Sequence, residues 1–254
     1  MKKVFRVSAL AAVFMLAAGC KDNTTTTPDV QLNTDEQKAA YSIGASVGNF
    51  ANQTLKQQDE LGVVLDRTLI KQGLLDSLDS KVKLSDEEIT TALRAHEERM
   101  NKVVQEQSAE KLEATKKAGE EFLTQNAKKE GVKVTDSGLQ YEVIKQGEGT
   151  QPTAEDTVTV DYTGTLTDGT KFDSSKDRGQ PATFPLANVI KGWTEGVALM
   201  NEGSEYRLYI PAELGYGDQE VGNIPAGSVL VFDVELINVE KNDADEKKDA
   251  DTKK

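Results

Sequence analysis

The spacing of apolar residues changes once along this chain, near Gly138, and the change separates two kinds of secondary structure. Before Gly138, apolar residues recur at intervals of three and four, as in Ala40, Ile43, Val47 and Phe50. After it they alternate with polar residues in four runs: Leu139, Tyr141, Val143; Val158, Val160, Tyr162; Tyr206, Leu208, Ile210; and Leu230, Phe232, Val234, Leu236. The first pattern predicts amphipathic helices and the second predicts strands with one buried face. The sequence therefore predicts an α+β protein, an all-helical segment followed by a curved antiparallel sheet.

Two capping boxes mark helix starts in the first segment. Thr34 is followed three residues later by Gln37, and Ser85 by Glu88. We predict one helix from Thr34 to about residue 57, a second over residues 65–78, and a third from Ser85 to about residue 128, with Gly131 as its stop. Residues 105–121 are almost all charged or small, so this part of the third helix is predicted to be a solvated stalk.

The helical domain, assigned to residues 35–130, carries few large apolar side chains. Such a segment buries too little surface to be stable alone, so residues 35–104 are predicted to form a homodimer. The alternative is a monomer whose helices pack on the C-terminal domain. Ala40, Gly44 and Gly48 lie on one line of the first helix; they indicate either a close helix contact or simply a weaker helix.

The C-terminal domain is assigned to residues 131–240. Between its strands, a short helix is predicted from the apolar face formed by Val189, Ile190, Trp193, Val197 and Met200. One sheet wrapped around one helix is a domain of ordinary size. Residues 241–254 alternate lysines with acids and have no large apolar side chain, so we predict a disordered charged tail.

The N-terminus is typical of a bacterial export signal. Basic residues precede an apolar stretch over residues 7–18, which predicts a signal peptide over residues 1–20. The run Leu16-Ala17-Ala18-Gly19-Cys20 resembles a lipobox, which implies lipidation of Cys20; ordinary cleavage near Gly19 is the alternative. Residues 21–34 are predicted to be a flexible tether. Lys21 favours the outer membrane, so we expect a lipoprotein on the periplasmic face of the cell envelope.

Composition excludes several function classes. The formal net charge of −13 disfavours binding to nucleic acid, because phosphates are repelled. One cysteine and one histidine leave no intrachain disulfide, make a Cys/His zinc site very improbable, and reduce any histidine-based triad to His96. No nucleophile, phosphate-loop or metalloprotease motif is present in the sequence. We therefore expect no metal and no cofactor.

What remains is a high density of aromatic and branched residues around the strands. Composition alone favours a filled core over a lined pocket for this group: Tyr162, Phe172, Phe184, Val189, Ile190, Trp193, Tyr216, Ile224 and Phe232. Asp173 is the one carboxylate that lies among aromatic residues instead of on an evidently solvated face.

The order of these residues resembles the FKBP family of peptidyl-prolyl isomerases over residues 139–239. The resemblance rests on these strings: Val160-Asp161-Tyr162-Thr163-Gly164-Thr165-Leu166, Lys171-Phe172-Asp173-Ser174-Ser175, Val189-Ile190-Lys191-Gly192-Trp193, Leu214-Gly215-Tyr216-Gly217, Ile224-Pro225 and Val231-Phe232-Asp233-Val234. The helical segment before them resembles the dimerisation module of periplasmic members of the FkpA and macrophage infectivity potentiator type.

The resemblance implies a proline-binding hollow between the sheet and the short helix. Asp173 and Tyr216 are implied to be catalytic, Asp173 as a buried polar group and Tyr216 as the hydroxyl donor near the substrate carbonyl. The implied substrate-binding residues are Trp193 in the floor, Tyr162, Phe172 and Phe232 in the walls, Val189, Ile190 and Ile224 at the rim, and also Arg178 and Phe184. Ala182 and Asn223 replace residues that are often aromatic or apolar in the family, which implies a more open hollow.

The implied function is peptidyl-prolyl cis-trans isomerisation of X-Pro bonds in unfolded envelope proteins, with chaperone activity as a dimer. The alternatives are a non-catalytic chaperone or peptide-binding lipoprotein with a vestigial site, and an envelope spacer in which the stalk is the functional part. The expected partners are unfolded or proline-containing polypeptides, a second copy of the chain and the lipid of the membrane.

Overall fold

A computed structural model describes residues 30–242 of the chain. The predicted signal peptide, Cys20, most of the tether and residues 243–254 of the predicted tail lie outside the described residues. Within them, no helix has the length and apolar character needed to cross a membrane. The chain divides into two compact units after Leu65, and each is described by itself.

Over its described part, residues 30–65, the first unit contains one helix, α1, Asp35–Glu60. The predicted capping box is present: Thr34 Oγ1 accepts a hydrogen bond from Gln37 N, and Gln37 Oε1 accepts one from Thr34 N. The predicted apolar stripe is largely exposed, with Phe50 at 75%. An added Cβ at Gly44 or Gly48 would meet no heavy atom within 4 Å, so the predicted close contact at these glycines is not made within the described chain.

The second unit opens with two helices, α2, Arg67–Leu78, and α3, Asp86–Asn126. The capping box of Ser85 and Glu88 is formed at the start of α3. The helix ends two residues earlier than expected, with Ala127 as its C-cap. Gly131 is not the stop: it has a φ of +85° in the turn before the first strand, a conformation that residues with a side chain rarely adopt.

In the described part of this unit, up to residue 242, seven strands, a short α-helix and three single-turn 3-10 helices follow. The strands and the α-helix are β1 Val132–Val134, β2 Gln140–Lys145, β3 Thr157–Leu166, β4 Lys171–Ser174, β5 Ala182–Pro185, α4 Lys191–Ala198, β6 Glu205–Ile210 and β7 Leu230–Glu240. The sheet order is β1-β2-β6-β7-β3-β4, β5 also pairs with β3, and every pair is antiparallel. The predicted α+β class and the four alternating strands are confirmed. β1, β4 and β5 were not predicted, because each has only three or four residues.

Helix α4 lies directly on strand β6 because two of its residues lack a side chain. An added Cβ would lie 2.4 Å from Ile210 Cγ2 at Gly192 and 2.7 Å from Leu208 Cδ1 at Gly196. Any larger residue there would push the helix off the sheet. This close approach places Trp193, which is 5% exposed, between helix and sheet.

The prediction of a solvated stalk over residues 105–121 is wrong at Gly119, near the end of that stretch. Gly119 is buried against Val229, whose Cγ2 would lie 2.8 Å from an added Cβ. Asn126 is 1% exposed and its Nδ2 donates to Gln140 Oε1 on β2 at 3.0 Å. Small and polar residues look solvated in a sequence, but here they allow a helix to lie close to the sheet and join it by hydrogen bonds.

A buried carboxylate holds the end of β7. Asp156 accepts hydrogen bonds from Thr153 N at 2.6 Å, Lys241 Nζ at 2.8 Å and Asn242 N at 3.0 Å. The predicted disordered tail begins at residue 241, whereas the structure holds Lys241 and Asn242 in place. The isolated sequence pattern could not show this, because the partner lies 85 residues earlier in the chain.

Candidate active site

A cavity of about 780 Å³ opens between the sheet, α4 and the loop before β7. Its lining is predominantly aromatic and aliphatic, with a few polar groups: Tyr162, Phe172, Asp173, Phe184, Asn188, Val189, Ile190, Trp193, Tyr216, Val221, Gly222, Asn223, Ile224 and Phe232. A concave apolar surface with few polar groups is typical of a site for a small or narrow ligand.

The floor of the cavity is the indole of Trp193. Its ring centroid lies 5.1 Å from that of Tyr162 and 5.1 Å from that of Phe232, at interplanar angles of 85° and 90°. Phe184 meets the same indole at 5.3 Å and 63°. Edge-to-face contacts of this kind are favoured by the ring quadrupoles. The four rings therefore support one another and keep the cavity from collapsing.

Gly164 in β3 makes room for the aromatic wall. An added Cβ would lie 2.6 Å from Phe172 Cε2 and 2.7 Å from Phe232 Cε1, closer than carbon atoms can approach. These two rings meet edge to face at 5.5 Å. The glycine therefore determines the position of the wall, a role that the pattern of β3 did not indicate.

Asp173 is the centre of a polar cluster beside the cavity. Its Oδ2 accepts from the Tyr162 hydroxyl at 2.5 Å, and its Oδ1 accepts from Arg178 Nη1 at 2.5 Å. Arg178 Nη2 also donates to the Tyr162 hydroxyl at 2.9 Å, and the guanidinium lies 5.5 Å from the centre of that ring. The expected partners of Asp173 are confirmed, but its side chain is 43% exposed and not buried as expected.

These contacts move two pKa values in opposite directions. Partial burial acts to raise the pKa of Asp173, but the hydrogen bonds from Tyr162 and Arg178 outweigh it and leave the pKa below its ordinary value. Burial raises the pKa of Tyr162, and its hydrogen bond to the carboxylate adds to the effect. Asp173 is therefore an ionised acceptor and Tyr162 a neutral donor at physiological pH.

Ser175 fixes the end of β4 against β3 and so positions Asp173. The hydroxyl of this fully buried serine accepts from Tyr162 N at 2.8 Å and donates to Asp161 Oδ1 at 2.7 Å. Ser175 N donates to Tyr162 O at 3.1 Å. The paired serines after Asp173 were part of the family resemblance, but this positioning role was not predicted.

The opposite side of the cavity is a loop over residues 215–229, here called the rim loop. Tyr216 lies near its start and Ile224 near its tip, where Val221 and Ile224 form an isolated antiparallel bridge. Tyr216 is 37% exposed, and its hydroxyl makes no hydrogen bond to any described residue. A free phenolic donor at the mouth of an apolar cavity is available to a ligand.

Every predicted catalytic or substrate-binding residue lines the cavity except Arg178, and the predicted lipidation site Cys20 lies outside the described residues. The guanidinium of Arg178 donates hydrogen bonds to Asp173 and Tyr162, which do line the cavity. Sequence reasoning missed Asn188, Val221 and Gly222 as lining residues. They lie in short irregular segments whose position depends on the loop conformation, and no periodic pattern marks them.

The chain matches two family models, described as FKBP-type peptidyl-prolyl cis-trans isomerase over residues 148–237 and as the domain amino terminal to that isomerase over residues 36–143. It is 50% identical to the FKBP-type peptidyl-prolyl cis-trans isomerase FkpA of Aeromonas hydrophila over 86% of this chain and 81% of the relative. The chain belongs to the FKBP-type peptidyl-prolyl cis-trans isomerase family. The enzyme class predicted from the sequence is thereby confirmed.

Two further relatives match most of the chain. The crystal structure of FkpA from Escherichia coli superposes with a TM-score of 0.73 at 43% identity, over 82% of this chain and 98% of that one. The outer membrane protein MIP of Legionella longbeachae is 39% identical over 85% of this chain and 90% of the relative. The helical segment and the FKBP domain are therefore found together in the relatives.

Proposed function

We propose that this FKBP-family isomerase binds proline in the hollow over Trp193, with Asp173 and Tyr216 as its catalytic residues and the other predicted residues as its binding surface. The observation that carries the proposal is the aromatic hollow itself, with a free phenolic hydroxyl at its mouth. A pyrrolidine ring is apolar and compact, so it fits against aromatic faces and leaves its preceding carbonyl at the rim.

The chemistry needs no covalent intermediate. Rotation about an X-Pro bond is opposed by amide resonance, with a barrier of about 18–20 kcal/mol. The planar ground state is the more dipolar one and is better solvated by water, so a dry hollow favours the twisted state relative to it. A differential stabilisation of about 5–8 kcal/mol would accelerate rotation by about four to six orders of magnitude.

Tyr216 acts on the substrate carbonyl directly, whereas Asp173 acts on it through Tyr162. The Tyr216 hydroxyl can donate to the carbonyl oxygen and hold it out of the plane of the proline ring. Asp173 carries no proton to donate, since its pKa is low; its fixed charge lies beside the wall and keeps the Tyr162 hydroxyl turned away from the substrate. The substrate carbonyl therefore meets one donor instead of two competing ones.

A protease-coupled tetrapeptide assay tests this assignment. Tyr216→Phe removes one hydrogen bond and should lower kcat/KM by about three- to tenfold. Asp173→Ala frees Tyr162 and Arg178 and should lower it by about tenfold. Asp177→Ala is the matched control, because Asp177 pairs with Lys171 outside the cavity. Wild-type turnover in both site variants would remove Asp173 and Tyr216 from the mechanism.

We propose further that residues 35–104 form the homodimer. Large apolar side chains on α1, α2 and the start of α3 are exposed in the single chain: Tyr41, Ile43, Val47, Phe50, Leu69, Leu74, Leu75, Leu78 and Leu93. A monomer rarely exposes so many large apolar side chains on its helices. Two hollows in one dimer would raise the affinity for an unfolded chain with several prolines through effective concentration. Suppression of aggregation that persists in Asp173→Ala would support a chaperone role separate from catalysis.

The proposed location is the periplasmic face of the cell envelope, with a lipid on Cys20 anchoring the protein to the outer membrane. The support is the lipobox-like run that ends at Cys20 and the similarity to a relative named as an outer membrane protein. Labelling of cells with radioactive palmitate should mark the wild type and not Cys20→Ser. Equal labelling of the two would refute the lipid anchor, and release of unlabelled wild type into the periplasm would favour ordinary cleavage.

A further inference from the structure

The rim loop is held at its base and contributes to the cavity at its other end. Gly227 N donates to Gly217 O at 2.9 Å and closes the base. At the tip, Val221 N donates to Ile224 O at 3.1 Å and Ile224 N donates to Val221 O at 3.0 Å. Any support of the base therefore also positions Tyr216 and Ile224, which line the cavity.

Helix α3 supplies that support by direct contact. Gly227 is buried, with a φ of +76°. An added Cβ there would lie 2.9 Å from both Leu112 Cδ1 and Lys116 Cγ. The helix therefore presses its side chains onto the backbone of the loop, and Gly119 one turn later is packed against Val229 at the loop's end.

An ion pair joins the same helix to the other arm of the loop. Lys116 Nζ lies 2.6 Å from Asp218 Oδ1, and Asp218 is two residues after Tyr216. The hydrogen bond to Asp218 raises the pKa of Lys116, so the ammonium group of Lys116 stays charged. Lys116 thus touches Gly227 with its stem and Asp218 with its head, and so contacts both arms of the loop.

We propose that Lys116 and Asp218 are positioning residues for the isomerase reaction, which act by fixing the rim loop and hence Tyr216 and Ile224. The inference rests on the proposed function of the hollow, and it assigns to α3 a part in substrate binding. Helix α3 would then brace the proposed active site in addition to forming part of the helical domain.

Removal of the ion pair between Lys116 and Asp218 should have a moderate effect on peptide turnover, seen mainly in KM. Surface ion pairs contribute modestly, so Lys116→Met should raise KM by about two- to fivefold. The value of kcat should fall by less than in Tyr216→Phe, because loss of the contacts of Lys116 with Asp218 and Gly227 loosens the loop that carries the Tyr216 hydroxyl but does not remove that hydroxyl. Asp218→Asn should give the same defect, and the double variant should be no worse than either single one. Lys116→Arg should keep the wild-type KM.

The test combines peptide kinetics with fluorescence in the full-length protein. Trp193 is the one tryptophan in the sequence and forms the floor, so acrylamide quenching of its emission reports opening of the rim. Quenching should increase in Lys116→Met and Asp218→Asn at an unchanged melting temperature. Lys117→Met, at the exposed neighbouring position of α3, is the control and should change neither KM nor quenching.

Each outcome decides between the brace and a passive surface contact. Wild-type KM and wild-type quenching in both Lys116→Met and Asp218→Asn would refute the brace and leave the proposed function intact. An inactive wild type would refute the proposed function, whereas the quenching experiment would still decide on the brace. A KM defect that Lys116→Arg fails to rescue would also contradict the assignment, since the ion pair would then not be its cause.

Discussion

Asp156→Asn should destabilise the protein strongly at neutral pH and hardly at all in strong acid. The carboxylate is 3% exposed in its side chain and accepts from Thr153, Lys241 and Asn242. Burial acts to raise its pKa, but these partners outweigh burial and lower the pKa from 3.8 to about 2. The ionised carboxylate of Asp156 is therefore more stable in the folded than in the unfolded chain.

The pH dependence of the unfolding free energy follows from the direction in which folding shifts the pKa of Asp156. Because the folded pKa is the lower one, the unfolded chain binds more protons between pH 2 and pH 4, and the stabilisation is present above the unfolded pKa. It is lost as the pH falls through the folded pKa of about 2. The folded and unfolded pKa values differ by about 1.8. At about 1.36 kcal/mol per pKa unit, this difference corresponds to a stabilisation of about 2.4 kcal/mol at neutral pH.

Urea unfolding of wild type and Asp156→Asn at several pH values measures this contribution. The difference in unfolding free energy should be about 2 kcal/mol at pH 7 and should shrink steadily below pH 4. Glu155→Gln, which removes a charge at the exposed neighbouring residue, should show no such trend. A difference that stays constant down to pH 2 would refute the reasoning, because it would be independent of ionisation.

Three further predictions concern the site and the assembly. Gly164→Ala should lower kcat/KM by more than about tenfold in the peptide assay, since the methyl group overlaps Phe172. Turnover should be constant from pH 5 to pH 9, because the pKa of Asp173 is lowered and that of Tyr162 raised; a rate that falls by half within this range would contradict it. Phe50→Asp should convert a dimer to a monomer in analytical ultracentrifugation without loss of peptide turnover.

The local features of the fold were predictable from the sequence because their causes are local. The capping boxes at Thr34 and Ser85 depend on residues three positions apart, and both formed as expected. The strand that contains Tyr162 was visible in its alternation. The hollow was a different case: composition favoured a filled core, and only the order of the aromatic residues, as a family resemblance, pointed to a cavity.

The contacts that the sequence did not reveal join residues far apart in the chain. Gly119 was interpreted as part of a solvated stalk, yet it is buried. Gly164 was one glycine in a strand, and its importance depends on Phe232, 68 residues later in the sequence. A periodic pattern shows which face of an element is buried, but it does not show what lies against that face.

The sheet order also determines when the hollow can form. Strand β7 follows all the other strands in the sequence but lies in the interior of the sheet, between β6 and β3, and it supplies Phe232 to the wall. Until β7 is inserted, β3 and β6 have no partner along those edges and the indole lacks one of its neighbours. A growing chain thus lacks a complete hollow, and the cavity of this isomerase closes only after the last strand has joined the sheet.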